Sequence, residues 1–96
     1  METIVNEKLS KYFSITEKAY NTAKNAKIKN EVKDLKKERE DFLNMIKCYI
    51  EDAKHFNEHN DKINALAALS YAHGWLDAGA RLGLWDVHDN KLFTVD

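Results

Sequence analysis

Along the first quarter of the chain, apolar and small positions recur in alternating steps of four and three: Val5, Leu9, Tyr12, Thr16, Ala19, Ala23 and Ala26. Phe13, Ile15 and Tyr20 widen the stripe. That period places one apolar face on an α-helix and cannot be matched by the two-residue alternation of a strand. A second stripe keeps the same steps through Ile28, Val32, Leu35, Arg39, Phe42, Ile46, Tyr49, Ala53 and Phe56, with Arg39 its one polar member. Extending the first stripe past Ala26 lands instead on Asn30, Lys33, Lys37 and Glu40. The phase therefore jumps between Ala26 and Ile28, and a turn is placed there; a long helix with a local stutter is the competing reading.

The second helix has two characters. Up to about Asp41 only a narrow seam is apolar, whereas beyond it Leu43, Met45 and Ile50 broaden the face. Its N-terminal end is thus expected to project past the third helix, or to have its seam covered by another subunit. The polar run from Asn57 to Asp61 ends it, and Asp61 is placed to cap a helix starting at Lys62, a contact worth about 1 kcal/mol. Gly83 suits the left-handed residue that closes a helix. From Asp86 the pattern changes, with Asp89-Asn90 reading as a turn and Leu92 to Val95 as a short extended tail folded back on the bundle. The expectation is one all-α domain: a three-helix up-and-down bundle with helices near 3–26, 29–58 and 61–83, a long second helix, and a short extended C-terminal tail over 84–96.

The third helix is the unusual one. Ile63, Leu66, Leu69 and Leu76 lie on one side, Tyr71, Trp75 and Leu82 on another, and alanines fill between. What remains polar is a strip of Ser70, His73, Asp77 and Arg81. A helix apolar around most of its circumference is usually buried around most of it. Three helices give each only two neighbours, so either the tail covers the extra face or the helix lies in an oligomer interface, a twofold dimer being favoured.

Composition supports the helical reading and narrows the function classes. There is no proline, and all three glycines (Gly74, Gly79, Gly83) fall within ten residues of one another. Fifteen basic and sixteen acidic residues nearly cancel at −1, so no global field points to nucleic acid or membrane. No apolar run approaches the roughly 20 residues of a membrane span. Met1 to Ser10 carries no signal-peptide pattern, and the single cysteine, Cys48, makes no internal disulfide and reads as a small core residue. A cytoplasmic setting is expected.

The run from Asn64 to Gly83, with its Tyr-Ala-His-Gly-Trp-Leu-Asp-Ala-Gly block at 71–79, together with Tyr49-Ile50-Glu51-Asp52-Ala53 and Phe56, resembles a family of small archaeal proteins catalogued as a domain of unknown function, family 357. The resemblance covers about residues 40–95. It implies a compact three-helix bundle and a cytoplasmic setting, and supplies no activity, cofactor or catalytic residue.

Four side-chain groups invite chemistry. Glu51, His55 and His59 are spaced four apart on one helical face, as a shared divalent ion needs, but a solvated helix end is the simpler reading and no metal or other cofactor is expected. His73, Asp77 and Arg81, with Asp52 reaching across from the second helix, form a candidate polar functional strip; an ordinary i, i+4 ion pair on the surface explains them more simply. Arg81 and His88 fit an Arg-x6-His spacing that resembles the nuclease motif of some helical prokaryotic ribonucleases, yet Leu82 follows the arginine and Gly83 ends the helix between them, so the match is read as chance. Lys24, Lys27, Lys29, Lys33, Lys36, Lys37 and Arg39 outnumber Glu31, Asp34 and Glu38 to give a local net +4, without the interleaved aromatics of a nucleic-acid face.

Taken together these features predict a non-enzymatic helical interaction module, with no catalytic residue, that self-associates or docks a protein partner. Leu35, Arg39, Phe42, Tyr71 and Trp75 are its candidate interface. The alternative is a nucleic-acid-binding accessory protein using the basic turn at 24–39.

Overall fold

A computed structural model describes residues 2–29 and 34–94. Within them the chain forms three α-helices and no strand: α1 over Glu2–Asn25, α2 over Lys36–Glu58 and α3 over Lys62–Leu82. No helix among the described residues is long and apolar enough to cross a membrane.

The sharpest corner lies between α2 and α3. Asn60 takes a left-handed conformation (φ 59°), the N–H of Asn60 donates to the Asn57 carbonyl and that of Asp61 to the Phe56 carbonyl. These two bonds satisfy the last turn of α2 in the Schellman manner. Asp61 then begins the next helix, its carboxylate accepting from the Asn64 N–H at 3.2 Å. One residue thus serves two helix ends. The far end of α3 repeats the device with Gly83 at φ 80°: Gly83 N–H donates to Ala80 and Leu84 N–H to Gly79.

The second helix is shorter than its apolar seam, which corrects the expected span of 29–58. It starts at Lys36, and its 23 residues make it no longer than the 24-residue α1. Residues 30–33 lie outside the described residues. Lys29 is not helical and donates its N–H to the Gly83 carbonyl at 3.0 Å, while Asp34 sits at φ 30°, through which a helix does not continue. Asp86 N–H returns the contact to the Lys27 carbonyl at 2.7 Å, so the segment leaving α1 runs beside the segment leaving α3. Ile28 and Leu35 still face inward, half-buried. A four-three spacing reports which side chains seek the core, not whether the backbone between them is helical.

The main core gathers Ala19 and Ala23 of α1, Ile46 and Ile50 of α2, and Ala72, Leu76 and Ala80 of α3 around Leu84, Trp85, Val87, Leu92 and Phe93. A smaller cluster joins Leu9, Ala53, Ala65, Ala68 and Leu69 near the α2–α3 corner. The start of α1 therefore lies beside that corner, and its end lies beside the start of α2 and the end of α3. Alanine at the two fully buried α1 positions of the main core, Ala19 and Ala23, lets that end of the helix approach closely. The body measures 46 × 23 × 16 Å.

Residues 84–94 make the turn at Asp89-Asn90 and fold back on the bundle as expected, but they form no extended strand. Asp89 builds a turn: its carboxylate accepts from the Lys91 N–H, and its carbonyl from the N–H groups of Leu92 and Phe93. Leu92 and Phe93 then fold back into the core. Trp85 is fully buried and donates its indole N–H to the Leu76 carbonyl at 3.0 Å. At roughly 1.5–3 kcal/mol per large apolar side chain, this segment is a wall of the core rather than an appendage.

Candidate functional site

Of the candidate interface, Leu35, Phe42 and Trp75 come together on the main core while Tyr71 stays exposed; of the polar strip, only His73 and Asp77 come within ion-pair distance among the described residues. Leu35 and Phe42 pack against the main core, with the Phe42 ring edge-on to Trp75 (centroids 4.7 Å apart) and to Trp85 (6.5 Å). The C-terminal segment packs on this part of the α2 seam through Trp85. Arg39 points its guanidinium at the end of α1, where Nη2 donates to the carbonyls of Ala23 (3.3 Å), Lys24 (2.8 Å) and Ala26 (3.0 Å). A cation at a helix C-terminus satisfies carbonyls that have no intrahelical donor and is favoured by the helix dipole. The Arg39→Met variant, which keeps the alkyl stem, is expected to lose about 1.5–3 kcal/mol, seen as a lower urea midpoint with an unchanged slope.

On α3, His73 and Asp77 approach to 3.9 Å, but the stronger partner of Asp77 is the C-terminal segment. Its carboxylate accepts from the Thr94 N–H at 2.8 Å and from the Thr94 hydroxyl at 3.2 Å. Arg81 is exposed, and among the described residues no ion pair joins it to Asp77. Asp52 is exposed on α2, and no ion pair or side-chain hydrogen bond among the described residues brings it to the strip. His88 pairs with Asp86 at 3.1 Å, apart from Arg81.

The other groups are likewise accounted for locally. The rings of His55 and His59 lie 4.4 Å apart, and the His59 ring Nδ1 is 2.9 Å from the His55 carbonyl oxygen. Among the described residues no three His, Cys, Asp or Glu side chains are arranged to hold a metal ion. Cys48 is exposed on α2, not in the core. Of the basic turn, Lys33 lies outside the described residues and Arg39 is withdrawn to α1, which leaves Lys24, Lys27, Lys36 and Lys37 as exposed members.

What sequence reasoning expected to be covered, the fold leaves open. The outer side of α3 exposes Ile63, Asn64, Ala67, Ser70, Tyr71, Gly74, Ala78, Arg81 and Leu82, of which only Arg81 is charged. Ile63 is 81% exposed, Tyr71 63% and Leu82 52%. The exposed side of α2 is instead crowded with Lys, Glu and Asp, as solvated helices usually are. Tyr71 is steadied from one side by stacking on Tyr49 at 5.5 Å. Beside this face a groove of about 410 Å³ runs between α1 and α3, walled by Tyr12, Thr16, Ser70, His73, Gly74 and Asp77.

Gly74 sits at the meeting point of face and groove. A Cβ there would meet nothing within 4 Å, so packing inside the chain does not call for glycine. Glycine inside a helix costs about 1 kcal/mol against alanine. The Gly74→Ala chain, unfolded in urea at a low protein concentration, is expected to be more stable than wild type by about 0.5–1 kcal/mol.

No curated protein and no solved structure matches the chain. The family model described as Protein of unknown function (DUF357) matches residues 11–85, from the middle of α1 to the buried Trp85. The chain belongs to that family.

Proposed function

We propose that this protein is a non-enzymatic interaction module that docks a protein through the outer face of α3, in a cytoplasmic setting. One observation carries the reading: a surface-length helix that already has two helical neighbours presents a third side with a single charge among nine exposed residues. Apolar faces of that extent on a small domain mark contact surfaces more often than they are tolerated bare. The alternative of nucleic-acid binding through the basic turn is weakened by Arg39, whose charge is spent on α1 carbonyls.

The test is retention on a tagged chain expressed in its native host, run beside the Ala78→Glu variant. Ala78 is exposed and glutamate is a good helix former, so the variant folds while its face carries a buried charge on docking. The wild-type chain is expected to retain a protein, an untagged copy of itself included, that the variant loses. Identical retention by both would sink the proposal.

A further inference from the structure

We infer that the occupant of the α3 face is a second copy of this chain, with the two α3 helices antiparallel about a twofold axis. This rests on the docking reading above and names the partner. The exposed residues Ile63, Ala67, Tyr71, Gly74, Ala78 and Leu82 follow one another in steps of four, four, three, four and four, a sequence of spacings that reads the same in both directions. Antiparallel pairing centred between Ala72 and His73 sets Ile63 against the partner's Leu82, Ala67 against the partner's Ala78, and Tyr71 against the partner's Gly74.

Each pairing is chemically matched. Large aliphatic residues meet at both ends, alanines meet between them, and the one aromatic ring falls on the one position without a side chain. In a twofold interface every pairing occurs twice, residue i on j and j on i, so a face whose spacing is the same in both directions is matched along its whole length. A partner of unrelated sequence imposes no symmetry on the face it reads. The pairing also brings no like charges together, since Arg81 lies opposite the partner's Asn64. Gly74 gains a reason to be glycine: the space at its Cβ, empty within the chain, receives the exposed side of the partner's Tyr71.

Size sets the strength. A 21-residue helix is about 32 Å long and about 10 Å wide, so a strip of α3 buries roughly 300 Å² per copy. Contacts from Tyr12 and Tyr49 at its margins bring the total to about 1,000 Å², the lower bound for specific association, which puts the pair among weak, reversible dimers.

Sedimentation equilibrium of the full chain from micromolar to millimolar concentration tests this. Wild type is expected to show a monomer–dimer equilibrium, which Ala67→Glu and Ala78→Lys each weaken at least tenfold. A mixture of those two variants, and the doubly substituted chain, are expected to recover dimer, because the introduced carboxylate and ammonium face each other only in the antiparallel register. Circular dichroism and urea midpoints at low concentration check that each variant folds. Gly74→Ala is a second probe, expected to stabilise the monomer while weakening the dimer. A monomer at every concentration would overturn the second-copy proposal, and the docking reading would then stand or fall on the retention experiment alone. A dimer indifferent to both single substitutions, or weakened by both without recovery, would overturn the antiparallel α3 pairing.

Discussion

The Gly79→Ala chain is expected to melt about 10 °C below wild type, a loss of about 2 kcal/mol at the scale of 4–8 °C per kcal/mol for a domain this size. Taken as helix propensity alone, the substitution would stabilise by about 1 kcal/mol. The indole of Trp85 reverses that sign. A Cβ on Gly79 would stand 2.7 Å from Cε2 of the ring and closer still to Cζ2 and Cη2. The ring cannot step aside, because it is fully buried and its N–H is bonded to the Leu76 carbonyl. Overpacking of a closed core costs about 1–3 kcal/mol, and a clash against a fixed ring lies at or beyond the upper end. A thermal midpoint equal to or above wild type would show that the ring does not lie on the helix backbone.

Trp85→Ala is expected to have the largest effect of any single substitution, about 3–5 kcal/mol from a total stability on the order of 5–15 kcal/mol. It empties the space between α3 and Phe42 and releases the segment that carries Val87, Leu92 and Phe93 into the core. Trp85→Phe keeps most of the volume and removes the donor, for a loss of about 1 kcal/mol on the hydrogen bond alone. The two sites are coupled, and denaturant unfolding of the double variant measures how strongly. With the indole gone, the alanine at position 79 meets vacated space, so Gly79→Ala should turn from destabilising to stabilising in the Trp85→Ala background. Destabilisation in both backgrounds would trace the effect to something other than the ring.

The helical faces, the Asp61 cap and the Gly83 stop were legible because each depends on residues within one or two turns of sequence. Where contacts come from afar, spacing misled. Ile28 and Leu35 sit in phase with α2 yet belong to the link before it, since both seek the core from irregular backbone. Arg39 was conspicuous as the lone polar member of an apolar stripe, but the carbonyls it serves lie at and just past the end of α1, 13–16 residues earlier. Trp85 follows Gly83 with no periodicity to place it. The available signal was Gly79, a helix-interior glycine in an alanine-rich run, which calls for something to approach the backbone there. Of the proposed face, Tyr71 and Leu82 were singled out from sequence because large apolar residues on a second side of a helix stand out in any fold. The rest of the proposed face was not, because Ala67, Gly74 and Ala78 are exposed only by virtue of which two sides α1 and α2 cover.

The shared residue at the α2–α3 corner bears on how the chain folds as well as on its shape. With Asp61 ending one helix and starting the next, α2 and α3 form a hairpin whose contacts are short in sequence, and the Trp85 segment adds to it from only a few residues downstream. Closing such contacts carries little loop entropy, whereas α1 must be brought to α3 across some 60 residues. The rate-limiting encounter is therefore assigned to the hairpin, with α1 docking on its downhill side. Truncations in the hairpin, such as Leu76→Ala, should slow refolding, while Leu9→Ala in α1 should chiefly hasten unfolding, a contrast that stopped-flow kinetics read directly.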